Sequence, residues 1–257
     1  MATAGVLGDL LVKQLRKHGV DPIRYETNGH TRQSLSIYEE SSGKQLRLVL
    51  PGPIWIERQI DGLMDAILEH VEEGAWVVAS GSLPPGIPDD FYIELNSAIR
   101  WKNARMVLDT SEKTLMTSVK SVVHPYAVLR MDQLEAEFLA DTTFPNPAEM
   151  ADFAQKIVSD NIAEVVVLAR GADGSVFATA TERLHVKPPL SNVLSAVGAG
   201  DSLVGALTLA LSQGRSLEEA ALLATSAASS AVQTGASDLC IRSVTEHIMT
   251  QCVVDKL

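Results

Sequence analysis

Gly198-Ala199-Gly200-Asp201 is the stretch of this 257-residue chain with the clearest chemical content. Two glycines bracket an alanine, an acid follows, and the apolar run Leu203-Val204-Gly205-Ala206-Leu207 then begins. Glycine lets a backbone turn tightly and come close to a ligand. A helix starting near Asp201 would leave the amides of Gly198, Ala199 and Gly200 aimed at one spot, at the positive end of its dipole. Such a spot holds an anion. The carboxylate narrows the reading. A loop built only to hold phosphate would avoid a like charge, whereas phosphoryl transfer needs a base beside the hole to take a proton from the attacking hydroxyl. The competing reading is an N-cap, since Asp before an apolar run commonly caps a helix. The stretch alone leaves both open.

Other residue types carry less. The six histidines form no H-x-x-x-H or similar pair, and the two cysteines, Cys240 and Cys252, have no metal-ligand spacing. Gly198-x-Gly200 also suggests a dinucleotide loop. The third glycine is missing at the required spacing, however, and an acid stands where the pyrophosphate would lie. A formal charge of −11 argues against a nucleic-acid partner, so an anionic substrate must be met by local positive groups rather than by the overall field. No apolar run reaches membrane-spanning length and no signal-peptide pattern opens the chain, which together with the cysteine usage points to a cytoplasmic protein. With 46% apolar and 21% charged residues the composition is that of a soluble globular protein.

The elements that must position these residues alternate along most of the chain. Helical patterning over residues 8–18 is followed by a short strand within 22–27. Alternation at 31–39 and 45–50 about Ser41-Ser42-Gly43 predicts a hairpin. From residue 57 onward helices alternate with strands at 76–79, 105–109, 127–130 and 164–168. Short strands at 175–179 and 184–187 follow, then three long helices from near Asp201, Ser216 and Ser243. Apolar strands separated by helices predict a parallel sheet covered on both faces. Ligands collect beyond the carboxyl ends of such strands, where Ser80–Gly86, Arg130–Glu135, Ala169–Gly174 and Val197–Asp201 all fall. The hairpin needs another layer or another subunit over its apolar face, which predicts a lid or a dimer surface.

These loops together resemble the PfkB-type carbohydrate kinases of the ribokinase superfamily, most of all their minor 6-phosphofructokinase branch. Ala196–Ser202 corresponds to the family's second signature. Thr31-Arg32-Gln33 with Leu48–Gly52 matches its lid hairpin, and Ser80–Gly86 matches a substrate loop. The resemblance runs from about Gly8 to Cys240. It implies a Rossmann-like, ribokinase-like α/β fold with a parallel sheet flanked by helices. It further implies one domain over residues 1–257 that is N-terminally incomplete, with a lid hairpin of about 22–52 as an appendage. The segment that would precede it carries a central strand, a sugar-binding acid, a Gly-Gly-rich substrate motif and a nucleotide-contacting lysine.

The resemblance implies an ATP-dependent transfer to fructose 6-phosphate giving fructose 1,6-bisphosphate. Tagatose 6-phosphate or fructose 1-phosphate as acceptor, or a catalytically impaired nucleotide-binding and dimerisation module, are the rival readings. Asp201 becomes the base, and Gly198, Ala199 and Gly200 hold the moving phosphoryl group. Arg32 grips the phosphate already on the substrate, and Ser82 faces the sugar. On the nucleotide side stand Arg130, in place of the family's usual lysine, and Asp132, in place of an asparagine. Ala169, Arg170, Gly171, Gly174, Val193, Thr225, Ala228 and Ser229 complete that side. Ala169 replaces a hydroxyl residue, and Arg170 is expected to compensate by reaching a phosphate. Asp132 and Glu135 are tied to Mg²⁺ through water, although Asp-x-x-Glu is equally a helix capping box. Ser195, Val197, Ala231, Thr234 and Ala236 stand where relatives hold a monovalent cation, K⁺, with Asp238 in place of an arginine. A homodimer through the lid hairpin is also implied.

Overall fold

The computed structural model describes residues 2–39, 41, 44–235 and 238–257, which fall into two compact units, Met1–Val71 with Leu83–Phe91 and Glu72–Ser82 with Tyr92–Leu257.

In the first unit, strands β1 (Ala2–Thr3) and β2 (Tyr25–Glu26) pair in parallel across helix α1 (Gly5–Lys17). The helix starts a turn earlier than its apolar spacing suggests, and Arg16 and Lys17 in its last turn suit the negative end of its dipole. The predicted hairpin is present as β3 (Ser34–Glu39) and β4 (Lys44–Val49), with Leu35 opposite Leu48 and Ile37 opposite Leu46. Ser42 and Gly43 of its predicted turn lie outside the described residues. The Thr31 hydroxyl fastens the hairpin's base to the start of α1: it accepts from the Ala4 amide at 2.9 Å and donates to the Ala4 carbonyl at 2.9 Å. Helix α2 (Glu57–His70) closes the unit. Beside it the Tyr25 ring stacks on Trp55 at 6.0 Å, and its hydroxyl donates to the Gln59 carbonyl. Gly86 turns with φ +94° against the Trp55 backbone, where a Cβ would sit 2.2 Å from the Trp55 carbonyl oxygen.

The second unit is built on a seven-stranded sheet. Its strands are β5 (Trp76–Ser80), β6 (Arg105–Asp109), β7 (Tyr126–Asp132), β8 (Ala163–Ala169), β9 (Ser175–Ala178), β10 (Arg183–Lys187) and β11 (Val253–Lys256), in the order β11-β10-β9-β8-β7-β6-β5. Strands β5 to β8 run parallel, as continuous apolar runs require when helices cover both faces. Strands β9, β10 and β11 are antiparallel, so the sheet is mixed where a parallel one was expected. Strands β9 and β10 reverse through short turns, which allow only antiparallel pairing, whereas β11 returns beside β10 after the three C-terminal helices. The crossovers are α3 (Phe91–Ile99), α4 (Glu112–Lys120), α5 (Gln133–Ala140) and α6 (Pro147–Ser159). The C-terminal layer holds α7 (Ala199–Ser212), α8 (Leu217–Ala231) and α9 (Arg242–Met249). Sequence patterning missed β11 entirely, because Val253-Val254-Asp255-Lys256 is too short to show alternation. It also expected α9 to be long, where it spans eight residues.

Val107, Val128 and Val167 form one face of the core beneath Leu203, Val204 and Leu207 of α7 and Ala220, Ala221 and Ala224 of α8. The small residues of α8 let it lie close against α7. Close packing therefore accounts for that composition alongside any ligand role.

Candidate active site

Helix α7 begins at Ala199, two residues before the expected start, with Gly198 as its N-cap at φ +83°. Asp201 is therefore not a cap. It occupies the third helical position and is exposed to solvent. Among the described residues no side chain caps this helix, and its first internal bond runs from the Ser202 amide to the Gly198 carbonyl at 2.9 Å. The amides ahead of it are left for a ligand, with the carboxylate one turn in. By contrast α8 and α5 are closed by capping boxes, Ser216 with Glu219 and Asp132 with Glu135.

Strands β5 to β8 point the same way, so the loops after them share one edge of the second unit. Against this edge lies a cavity of ≈460 Å³, within the usual range for small-molecule sites. Arg130 and Asp132 come to it from β7, and Ala169, Gly171 and Gly174 from the turn after β8. Ala199 and Gly200 come from the start of α7, Thr225, Ala228 and Ser229 from α8, and Val193 from the preceding loop. Residues separated by up to a hundred positions thus line one space. The buried hydroxyls of Thr225 and Ser229 have no partner among the described residues, so a ligand or ordered water would satisfy them. Sequence reasoning missed Pro188, Pro189, Leu190, Ser191 and Val232, which also line it. The Pro188-Pro189 pair after β10 was the available signal for an extended wall.

Arg170 departs from its expected role. Its Nη1 donates to the Phe144 carbonyl at 3.2 Å and approaches Met150 Sδ, and it is absent from the cavity lining. Alternation off the end of β8 explains this: if Ala169 faces the cavity, its neighbour faces the start of α6. Ser82 is exposed in the loop after β5. Arg32 belongs to the first unit, at the base of the hairpin.

One residue beside this edge, Asp109, was not singled out from the sequence. Arg130 Nη1 donates to Asp109 Oδ1 at 3.0 Å, with the side chains 15% and 12% exposed, and Ser80 Oγ donates to Asp109 Oδ2 at 3.2 Å. The carboxyl ends of β5, β6 and β7 thereby join in one polar network. The guanidinium lies against Gly200: a Cβ there would sit 3.2 Å from Nη2. In a chain of strongly negative charge, the anion loop therefore has a positive group beneath it, held by an aspartate. Asp at a strand's end, one position before Thr110, reads as turn chemistry, which is why it went unnoticed.

Asp132 and Glu135 form the capping box: the Glu135 amide donates to Asp132 Oδ1 at 2.9 Å, and the Asp132 amide donates to Glu135 Oε2 at 2.7 Å. Burial raises the pKa of the Glu135 carboxyl, opposed by the Asp132 amide. Among the described residues no three His, Cys, Asp or Glu side chains form a metal-ligand set. The box leaves one oxygen of each carboxylate outside it, which suits a hydrated Mg²⁺ held through its waters. Of the proposed cation-site residues, Ser195 is buried with its Oγ accepting from the Val197 amide at 3.2 Å. Thr234 Oγ1 lies within 3.3 Å of the carbonyl oxygens of Ala231, Gly235 and Asp238. Backbone carbonyls are the donor type a monovalent cation takes, and here the three converge on the Thr234 hydroxyl itself. Ala236 lies outside the described residues.

Gly174 makes the turn after β8 possible. Its φ is +87°, and a Cβ would sit 2.0 Å from the Val186 carbonyl oxygen. Gly174→Ala is expected to lower the melting temperature by several degrees and to displace the turn, since both strain and overlap oppose it. Thermal unfolding followed by circular dichroism checks this, and an unchanged midpoint would contradict it.

A model of the pfkB family carbohydrate kinases matches residues 4–243. The chain is 33% identical over 244 residues to the ATP-dependent 6-phosphofructokinase isozyme 2 of Escherichia coli, spanning 95% of this chain and 78% of that protein. It is 30% identical over 232 residues to the 1-phosphofructokinase of Xanthomonas campestris, spanning 88% and 72%. Among solved structures, the phosphofructokinase-2 from Escherichia coli in complex with potassium superposes with a TM-score of 0.90 at 32% identity, covering 97% of this chain and 80% of that one.

Proposed function

The chain belongs to the pfkB family of carbohydrate kinases, and on that premise we propose that it transfers the γ-phosphoryl group of ATP to the free primary hydroxyl of fructose 6-phosphate, giving fructose 1,6-bisphosphate. The observation that carries the reading is the uncapped start of α7, with an exposed carboxylate one turn in and a ligand-sized cavity against its amides. In this reading the cavity takes the nucleotide, with the turn at Gly171 and Gly174 and the α8 face around it. Asp201 accepts the proton of the sugar hydroxyl as that oxygen attacks the γ-phosphorus. The amides of Gly198 to Gly200 and the Arg130 guanidinium hold the phosphoryl oxygens as charge shifts toward the leaving nucleotide. Arg32 grips the phosphate already on the sugar, and Ser82 bonds the sugar.

Glu135 and Asp132 would hold Mg²⁺ through water; bound, the ion neutralises charge on the nucleotide phosphates. Ser195, Val197, Ala231 and Thr234 would provide the setting for K⁺; a phosphofructokinase-2 structure similar to this chain was solved in complex with potassium. We assign the protein to the cytoplasm; among the described residues no helix is long and apolar enough to cross a membrane.

The 1-phosphofructokinase among the relatives gives the rival reading, with fructose 1-phosphate as acceptor. An ATP-dependent assay across fructose 6-phosphate, fructose 1-phosphate and tagatose 6-phosphate separates the two, and the highest kcat/KM is expected for the first. Preference for another acceptor overturns the substrate, and ATP binding without transfer to any sugar phosphate overturns the catalytic reading.

The lid hairpin is proposed as a homodimer surface. Leu35, Ile37, Leu46 and Leu48 form two directly opposed cross-strand pairs, hence one apolar face, and each is 42–57% exposed. A two-stranded ribbon is marginal in water without a cover for such a face. The double variant Leu46→Lys, Leu48→Glu is expected to give a monomer in sedimentation equilibrium, where the unaltered protein gives a dimer.

A further inference from the structure

The turn that carries Gly171, Ala172 and Gly174 to the cavity is seated on β10 rather than free in solvent. Gly174 abuts the Val186 carbonyl, and the Arg170 amide closes the turn on the Gly174 carbonyl at 2.8 Å. The remaining fastening is a histidine that the proposed chemistry does not use. His185 of β10 is 7% exposed. Its Nε2 lies 2.6 Å from the Asp173 carbonyl oxygen, and its Nδ1 lies 3.8 Å from Oδ2 of Asp255, directly across from it on β11.

A carbonyl oxygen only accepts, so Nε2 carries the proton and donates it to the turn. The other ring nitrogen lies 3.8 Å from the Asp255 carboxylate, too far for a hydrogen bond, so the bond this ring makes is the one to the turn. Lys187, two positions along the same strand, points its ammonium at Asp173 Oδ1, 4.0 Å away. The buried imidazole and the Lys187 ammonium thus both tie β10 to the cavity turn. We propose that His185 is a positioning residue for the nucleotide turn, holding the Asp173 carbonyl, so that Gly171 and Gly174 keep the geometry a nucleotide requires. The proposal rests on the reading of the cavity as a nucleotide site.

Residue 185 has alternatives that separate a positioning role from a filling one. His185→Leu keeps volume and removes the donor. His185→Gln keeps an amide N–H at a comparable reach. The test measures Mg-ATP affinity by calorimetry and amide hydrogen exchange over residues 170–175, on the full chain and both variants, with melting temperature recorded. His185→Leu is expected to weaken Mg-ATP binding about five- to tenfold, the worth of one buried bond on a loop the ligand must otherwise order. It is also expected to lose exchange protection at the turn before any ligand is added. KM for the sugar phosphate is expected to stay unchanged, and His185→Gln to restore most of both losses. Unchanged exchange at residues 170–175 in His185→Leu overturns the proposal, as does a His185→Gln variant no better than leucine. Should the unaltered chain fail to bind Mg-ATP, the nucleotide reading of the cavity falls on that result. The proposal as stated falls with it, and the exchange arm then reports only whether the fastening exists.

Discussion

Asp201→Asn is expected to lower kcat by about 10²–10⁴-fold, the usual loss when a positioned base is removed, while Mg-ATP binds at least as tightly as before. The two halves of this result come from different properties of one carboxylate. As a base it acts only when the sugar hydroxyl surrenders its proton, so its loss falls on turnover. As a negative charge beside the amide nest it repels the nucleotide phosphates in the ground state, so its removal does not weaken their binding. Asparagine has the same shape, and the position is exposed within the first turn of α7. The structural consequence is therefore limited to the lost interaction of an acid with the helix dipole, about 0.3–1 kcal/mol. Rapid-quench measurement of phosphoryl transfer and calorimetry with Mg-ATP check both halves. A kcat within tenfold of the unaltered protein would remove Asp201 from the chemistry, and a large fall in melting temperature would return it to the role of a helix-stabilising acid.

The residues that made this prediction possible were legible in the sequence because they sit together in it. Gly198-Ala199-Gly200-Asp201 announces a tight turn, exposed amides and an acid within four positions. Periodicity then supplies the strand and helix that carry the stretch. The parallel half of the sheet was legible for the same reason, since β5 to β8 are unbroken apolar runs between helices. What failed depended on direction or on partners distant in sequence. Arg170 was placed at the cavity by its adjacency to Ala169, yet consecutive residues leaving a strand face opposite ways, and its guanidinium bonds Phe144. The strand Val253–Lys256 becomes visible only through its pairing with β10. Asp109 has no local signature, because its meaning comes from Ser80 and Arg130 on the two neighbouring strands.

That network sets the second large effect. Arg130→Met is expected to act on stability and turnover together, and through separable causes. Removing the guanidinium leaves the Asp109 carboxylate buried without its cation, which typically costs about 3–5 kcal/mol. The value should fall at the lower end because the Ser80 hydroxyl remains on Oδ2. It also removes a positive group packed against Gly200, and losing one such group near developing charge lowers kcat by about 10²–10³-fold. Arg130→Lys is not a neutral exchange. The ammonium keeps the charge but cannot both bond Asp109 and lie flat against the glycine, so partial recovery of turnover with little recovery of stability is expected. The double variant Asp109→Asn, Arg130→Met distinguishes the causes. Neutralising both partners relieves the unpaired buried charge, so urea unfolding should show much of the stability regained over Arg130→Met alone. Turnover should stay as low as in the single variant, because the positive group under the anion loop is still missing. If turnover returns with stability, Arg130 serves only to satisfy Asp109, and the positive charge credited to the anion loop must be sought elsewhere.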